Sequence, residues 1–232
     1  MAYEENEQLK SQTIFEYIKS DYKNALDLNF EKPSKKQIIG VAGLTIASFV
    51  LDEEIRENVS KNRTLFLKKY FNLTNDLGHS NSIIPMFLTF YGIGTITNDE
   101  RMKKVSFSSL EASLASGGAV LLFKSVFGRA RPYMEEGSGS YSFFNKFDDD
   151  RASFPSAHSA IAWAMFTPYA KEYGTWIYAV PTSVSLARIY RDKHWSSDVV
   201  IGAVIGYAAG TVFYKWKDEN LIIYPNGFLF KY

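Results

Sequence analysis

The 232-residue sequence contains no cysteine and only three histidines. The absence of cysteine excludes disulfides, thiolate metal sites and a cysteine nucleophile. The charges nearly cancel, with 26 basic and 25 acidic residues, so nothing attracts nucleic acid over the whole chain, and we expect no nucleic-acid partner. The mean hydropathy of -0.16 is low for a protein with many membrane spans, but the apolar residues are clustered along the chain.

The apolar residues form six stretches that we interpret as helices. Most of them exceed the roughly 4–8 residues of a buried strand, and none alternates between apolar and polar residues. Gly202, Gly206 and Gly210 recur at every fourth position of the last stretch, which places them on one helical face suited to close helix packing. We therefore predict an all-α protein with a six-helix bundle. The six stretches are residues 38–51, 83–97, 105–123, 160–170, 175–187 and 199–214.

The sequence leaves two environments open for this bundle. A membrane span needs about 20 mostly apolar residues, and several of the stretches are shorter. Glu111 lies inside the third stretch and would cost ~2–3 kcal/mol if it faced lipid. Most basic residues of the connecting segments fall on one side of a six-span arrangement, as the positive-inside rule requires, although the basic loop of residues 52–75 falls on the other. We expect a membrane protein, with a soluble or peripheral bundle as the alternative.

Three regions divide the chain. In residues 1–36, Ile14, Ile18 and Tyr22 lie four positions apart and predict an amphipathic helix that packs on the bundle or lies at a membrane interface. Charges interrupt this region throughout, which is unlike a signal peptide. Residues 37–217 form the helical bundle that carries the chemistry. Residues 218–232 form a tail with a possible small hairpin around the turn sequence Pro225-Asn226-Gly227.

The first polar cluster stands at the end of the third predicted helix. Lys124 supplies a point charge, and Arg131, which precedes Pro132, supplies a planar fork that suits the oxygens of a phosphate group. The end of a helix also attracts cations for purely structural reasons, so this cluster alone is ambiguous. The acidic run Asp148 to Asp150, farther along the chain, is interpreted as a solvated loop and not as a metal site.

Two further clusters each contain a histidine at a helix end. Ser156, Ala157 and His158 open the fourth helix, where free N–H groups favour an anion and a histidine can donate a proton. In the third cluster, Arg188 ends the fifth helix, and Asp198 follows His194 by four residues. A carboxylate that accepts from one imidazole nitrogen leaves the other nitrogen free to act as a nucleophile. Taken singly, capping serine and aspartate residues with exposed histidines explain both segments equally well.

Together the clusters read K-x6-RP, PS-x-H and R-x5-H-x3-D, in this order and at helix ends. This combination resembles the type 2 phosphatidic acid phosphatase (PAP2) family, which includes bacterial class A acid phosphatases and vanadium haloperoxidases. The resemblance extends from about Ser109 to Gly210. Two positions depart from the family pattern, because Ala157 stands where glycine is usual and Ala187 where serine is usual.

The resemblance implies a role for each matching residue. Lys124, Arg131 and Arg188 are expected to hold the phosphate oxygens. Ser156 is expected to assist with its hydroxyl and N–H groups, and Ala157 with its N–H. His194 is the expected nucleophile and Asp198 its orienting carboxylate, while His158 is the expected proton donor to the leaving oxygen. The mechanism passes through a phosphohistidine and needs no metal or other cofactor.

The expected function is hydrolysis of a phosphate monoester or diphosphate, with a phosphorylated lipid or a small phosphate ester as substrate. We expect a bacterial-type inner membrane location, with the active site facing the periplasm or exterior. Three alternatives remain at this stage: a soluble periplasmic acid phosphatase, a vanadium-dependent haloperoxidase and a non-catalytic membrane bundle.

Overall fold

The structure is a computed structural model that describes residues 34–144, 148–224 and 227–230, with side chains to residue 215. The predicted amphipathic helix within residues 1–36 lies outside the described residues. Within them the chain forms eight α-helices, which confirms the predicted all-α class. The helices are α1 (Lys35–Val50), α2 (Asp52–Lys61), α3 (Leu65–Asn75), α4 (Ile83–Ile96), α5 (Glu100–Phe127), α6 (Ala157–Tyr173), α7 (Ala179–Tyr190) and α8 (Ser196–Asn220).

Each of the six apolar stretches coincides with one helix, namely α1, α4, α5, α6, α7 and α8. A short 3-10 turn, Thr175–Tyr178, occupies the start of the fifth stretch and precedes α7. After α8 come two short strands, β1 (Leu221–Tyr224) and β2 (Gly227–Phe230). They pair in antiparallel register, with Leu221 opposite Phe230, on either side of the turn sequence noted above.

The segment of residues 52–75, interpreted from the sequence as a loop, instead forms the helices α2 and α3. Helix α2 is polar and carries three acidic residues in its first turn and Lys61 in its last, an arrangement that complements the helix dipole. Helix α3 begins where the side chain of Thr64 accepts a hydrogen bond from the N–H of Leu67 at 3.2 Å. A search for long apolar stretches misses α2 because it is polar. It misses α3 because Lys68 and Lys69 interrupt its apolar residues. Phe71 of α3 nevertheless packs in a core cluster with Ala187 and Tyr190.

Helix α8 packs closely against α6 through its glycines. A Cβ atom added at Gly202 would lie 2.5 Å from the carbonyl oxygen of Ser156, and one at Gly210 would lie 2.6 Å from Cβ of Thr167. A Cβ at Gly206 would overlap the carbonyl oxygen of Ala160. The predicted glycine face is therefore the contact surface, and it brings the start of α8 beside the start of α6.

The end of α5 is set by Gly128, which adopts φ +52°. This left-handed conformation favours glycine, and a Cβ here would also collide with the carbonyl oxygen of Ser142. The chain consequently leaves the helix at Phe127 and turns back over the end of the bundle. The turn carries Arg129 and Arg131 toward the starts of α6 and α8.

The outer surface of the bundle is strongly apolar. Large side chains of α1 and α4 project outward, among them Ile39, Val50, Leu88 and Ile96, and exposed apolar side chains of this kind mark a membrane or protein contact. By length and composition, α5 and the 196–215 part of α8 could cross a membrane. Glu111 of α5 is only 1% exposed. It faces the inside of the bundle, so the predicted cost of placing it in lipid does not arise.

We expect Gly206→Ala to lower the thermal unfolding temperature of the purified protein. The added methyl group must push α8 away from α6, and overpacking of this kind costs about 1–3 kcal/mol. Gly118→Ala in α5 is the matched control, because a Cβ at Gly118 meets nothing within 4 Å and alanine favours the helix. Equal unfolding temperatures for the two variants would contradict close α6–α8 packing.

Candidate active site

Four helix ends meet at one end of the bundle and bring the three predicted clusters together. The N–H of Ser156, before α6, donates to the carbonyl oxygen of Asp198 in α8 at 3.0 Å. Arg131, after α5, donates through Nη1 to the carbonyl oxygen of Lys193, next to His194, at 3.4 Å. Lys124 at the end of α5 donates to the carbonyl oxygen of Ala152, just before the second cluster. Residues far apart in the sequence thus share one site.

His194 is held at the centre of this site with 3% of its surface exposed. Its Nδ1 lies 2.7 Å from the carbonyl oxygen of Ser153. A carbonyl oxygen can only accept a hydrogen bond, so Nδ1 carries the proton and Nε2 keeps a free lone pair. This is the tautomer that a nucleophilic histidine requires.

The surroundings of His194 also keep it neutral. Burial lowers the pKa of its imidazole well below the ordinary value, and the nearby charges of Arg188, Lys124 and Arg131 lower the pKa further. The hydrogen bond to Ser153 acts in the opposite direction and is the smaller influence. Three cations around a neutral imidazole form a site that suits an anionic ligand beside a nucleophile.

Asp198 does not make the direct hydrogen bond to His194 that the sequence predicted. Its Oδ2 lies 3.7 Å from Nδ1 of His194, and the same oxygen accepts from the hydroxyl of Ser153 at 2.5 Å and from the N–H of Trp195 at 2.8 Å. The bond to Trp195 caps the start of α8. Asp198 therefore positions His194 partly through Ser153, whose hydroxyl contacts the carboxylate and whose carbonyl contacts the imidazole.

Arg129 is a buried member of this site that sequence reasoning did not single out. It is 1% exposed and donates to Oδ1 of Asp198 at 2.6 Å and to Oδ2 of Asp52 at 2.8 Å. Asp52 also accepts from the N–H of Ser197 at 2.9 Å and so binds the start of α8. Arg129 lies two residues before Arg131, so its place in the sequence could have indicated a cation near the site. No sequence pattern around Asp52 predicts its contact with Arg129.

The three cations expected to hold phosphate differ in what they contact. Arg188 donates through Nη1 to the side-chain oxygen of Asn75 in α3, and its buried Nε has no hydrogen-bond partner among the described residues. Arg131 is occupied by Asp149, which lies 2.6 Å from Nη2 and also accepts from Nε through its carbonyl oxygen at 2.6 Å. The acidic run predicted as a solvated loop therefore reaches the site, although the Asp149 side chain is 82% exposed.

The second cluster opens α6 as predicted, with Ser156 as the N-cap. Because the N–H of Ser156 already donates to Asp198, only the Ser156 hydroxyl remains for the contact expected from this residue. The N–H of Ala157 lies in the first turn, where no acceptor exists within the helix. His158 is partly buried in the first turn of α6, and its ring centre lies 5.4 Å from that of His79, the third histidine of the chain.

This architecture defines a class of protein. A helical bundle that gathers three cations, two histidines and a carboxylate at one end has the groups that phosphoryl transfer requires. Comparison with known families specifies the class further, because residues 106–222 match the model of the PAP2 superfamily. The chain belongs to this superfamily.

Three known proteins are similar to this chain. Over 219 residues, 89% of this chain, the sequence is 26% identical to a lipid A 1-phosphatase of Porphyromonas gingivalis, and the match spans 44% of that relative's length. The crystal structure of Aquifex aeolicus LpxE superposes with a TM-score of 0.55 at 22% identity, covering 72% of this chain and 96% of that one. A PAP2-type phosphatidylglycerolphosphate phosphatase from Bacillus subtilis gives a TM-score of 0.54 at 18% identity, covering 87% and 96%.

Arg129→Met is expected to destabilise the protein by about 3–5 kcal/mol, because it leaves two buried carboxylates without their cation. The matched control is Arg56→Met, which breaks a 2.8 Å pair with Asp192 that is partly exposed and should cost less than about 1 kcal/mol. Chemical denaturation of both variants gives the comparison. Similar losses for the two variants would contradict the central role of Arg129.

The buried neutral state of His194 predicts a pH-dependent stability. Its folded pKa is lowered, so its contribution is present above the unfolded value of about 6.5 and is lost as the pH falls below it. Between pH 7 and pH 5 this loss reaches about 2 kcal/mol. His194→Asn, which can still donate to Ser153, should flatten the dependence of the unfolding temperature on pH over this range. An unchanged slope would show that His194 accepts a proton freely in the folded protein.

Proposed function

We propose that the chain is a membrane-bound phosphatase that removes a phosphate group, as a monoester or diphosphate, from a phosphorylated lipid through a phosphohistidine. The observation that carries the proposal is the convergence of Lys124, Arg131 and Arg188 on the neutral, buried His194. Such a site offers a dianionic phosphate both charge compensation and a nucleophile.

Binding begins with the cations. The free Nε of Arg188 points to a donor position that an oxygen of the phosphate group fills. The substrate displaces the exposed carboxylate of Asp149 from Arg131, because a dianion interacts with the guanidinium more strongly than one carboxylate. Lys124, the hydroxyl of Ser156 and the N–H of Ala157 complete the contacts to the phosphate.

Burial and the nearby charge of Arg188 lower the pKa of the His158 imidazole to about 2, so His158 is neutral in the free protein and takes up its proton together with the phosphate dianion. Nε2 of His194 then attacks phosphorus, and the bond from phosphorus to the leaving oxygen breaks as His158 gives that oxygen this proton. The imidazole becomes positively charged during this step, and the Ser153 carbonyl at 2.7 Å and the Asp198 carboxylate at 3.7 Å stabilise the charge. In the second step, His158 takes a proton from a water molecule that attacks the phosphohistidine. Inorganic phosphate leaves, and both histidines return to their starting states.

The surface of the bundle favours a lipid over a small soluble ester. Apolar side chains cover the outside of α1 and α4, and α5 and α8 have the length and composition of membrane spans. The similar proteins are named for lipid A and phosphatidylglycerolphosphate, both of which are phosphorylated lipids. Arg101, Lys103 and Lys104 begin α5 at the end away from the site. By the positive-inside rule this end is cytoplasmic, and the site faces the periplasm.

A chemical trap tests the covalent step. His158→Ala should accumulate a radiolabelled phosphoenzyme from ³²P-labelled p-nitrophenyl phosphate, because nitrophenolate leaves without a proton but the phosphohistidine then lacks its general base. His194→Ala should give no label and lose at least about 10³-fold of the phosphatase activity. The bound phosphate should be stable to alkali and labile to acid, as expected for a phosphoramidate.

The control for this trap is His79→Ala, which removes the third histidine without removing any group assigned to the reaction. It should turn over substrate without accumulating label. Retention of most activity by His194→Ala, or label of equal amount in His194→Ala and His158→Ala, would contradict the mechanism. Activity on a lipid phosphate in detergent micelles, measured beside the soluble ester, tests the assignment to lipids.

A further inference from the structure

A second cationic groove lies beside the active site and is not used by the mechanism above. Its walls include Arg63 from the α2–α3 connection, Lys68 and Asn72 from α3, and Tyr190, Arg191 and Lys193 from the end of α7 and beyond. We refer to it as the basic groove. Its four cations come from three separate parts of the chain, and no carboxylate is among its lining residues in the described structure.

The cations of the basic groove are left without acidic partners, whereas cations close by are neutralised. Arg63 lies over the ring of Tyr190, and Lys193 lies over the ring of Tyr133, but within the described ranges none of the four forms an ion pair. In contrast, Arg56 pairs with Asp192 at 2.8 Å, and Lys61 pairs with Glu57 at 2.9 Å. The groove therefore keeps its positive charge for another ligand.

A second polar groove, at the opposite end of α5, has a different charge balance. It is lined by Glu100 and Glu172 as well as Arg101 and Lys104, and Arg101 lies 3.6 Å from Glu172. Its acids offset its bases. The basic groove has four more cations than carboxylates, whereas the groove at the opposite end of α5 has equal numbers of the two.

Two parallel hydrogen bonds between α3 and the end of α7 place the basic groove next to the phosphate site. Arg188 in the phosphate site donates to Asn75, and Arg191 in the groove donates to Asn72 at 3.2 Å. The two arginines are three residues apart, which places them about one helical turn, or 5 Å, from each other along the chain.

The backbone of Lys193 provides a second link between the two regions. Its carbonyl oxygen accepts from Arg131 at 3.4 Å, and its N–H donates to the carbonyl oxygen of Arg188 at 3.1 Å. Both arginines belong to the phosphate site, while the side chain of Lys193 lines the groove. The two regions therefore adjoin at Lys193.

We propose that the basic groove binds a second phosphate group of the same substrate molecule whose scissile phosphate lies at His194. The inference rests on the proposed function and adds to it a substrate class, the lipids that carry two separated phosphate groups. Arginine and lysine together recognise phosphate through bidentate and point-charge contacts. A substrate with one phosphate and an apolar body would leave all four cations of the groove unused.

The test compares two synthetic lipids that share their acyl chains and scissile phosphate and differ only in the second phosphate. Turnover is measured in neutral detergent micelles with the full-length protein. For the wild type, the bisphosphorylated lipid should have the lower KM. In the double variant Arg63→Met with Lys68→Met, KM for this lipid should rise about fivefold per cation removed, with kcat unchanged. KM for the monophosphorylated lipid should not change.

Lys61→Met is the matched control, because it removes a cation from the same end of the molecule outside the groove. It should leave both KM values unchanged. Equal rises in KM for the two lipids, or no rise for either, would overturn the assignment of the groove. A rise that occurs only after anionic phospholipid is added to the micelles would assign the groove to a neighbouring lipid headgroup and also overturn the proposal.

The two proposals fail in distinguishable ways. Hydrolysis of the monophosphorylated lipid by the wild type reports on the proposed function alone, since that lipid does not reach the groove. If the wild type cleaves neither lipid, the proposed function fails. If it cleaves both with the same KM, the function stands and the groove proposal is overturned. Arg191→Met provides an independent variant in which the hydrogen bond to Asn72 is also lost.

Discussion

The site depends on one buried guanidinium. Arg129 has almost no contact with solvent, and it joins Asp52 at the start of α2 to Asp198 in the first turn of α8. A buried cation of this kind is tolerated only with its carboxylates in place, and each carboxylate in turn requires the cation. The mutual requirement fixes the turn after α5 against two helices. Through Ser153 and Asp198 it also fixes the ring of His194.

The same pairing separates the charges that hold the site together from the charges that bind a ligand. Two carboxylates compensate Arg129, so it contributes little net field. Lys124 and Arg188 have no carboxylate partner among the described side chains, and Arg131 has only the exposed carboxylate of Asp149. The positive field therefore remains directed at the space beside His194. Preorganised charge in a site with little water is the main requirement for phosphoryl transfer.

Much of the fold follows from the sequence because the apolar stretches and the α8 glycines are local patterns. Six helices and the close-packing glycine face of α8 could be predicted in this way, although not that α6 is its partner. Helices α2 and α3 could not, since α2 is polar and the apolar residues of α3 are interrupted by Lys68 and Lys69. Among the site residues, the spacing around His158 and His194 indicated the helix ends. The hydrogen bond from His194 to the Ser153 carbonyl could not be predicted, because any residue type provides a backbone carbonyl.

Asp52 and Asn75 were missed for a related reason. Each acts through a contact with a residue more than 70 positions away, and only the folded chain brings the partners together. Asp149 differs from these two residues, because the acidic run that contains it was noted in the sequence and interpreted as a solvated loop. Its side chain is exposed, as expected, but it also contacts Arg131. Local sequence patterns therefore identified residues whose side chains can take part in catalysis or binding. The three-dimensional structure determined which of them lie together.

The two hydrogen bonds between α3 and the end of α7 support two arginines in different surroundings. Asn75 supports an arginine of the phosphate site, and Asn72, one turn earlier, supports an arginine outside it. The residues proposed to bind and attack the phosphate lie on α5 to α8 and on the segments that connect them, whereas the 11-residue helix α3 carries Lys68 at the basic groove. Divergence confined to one face of this short helix would give descendants of the same ancestor different lipid preferences with an unaltered reaction centre.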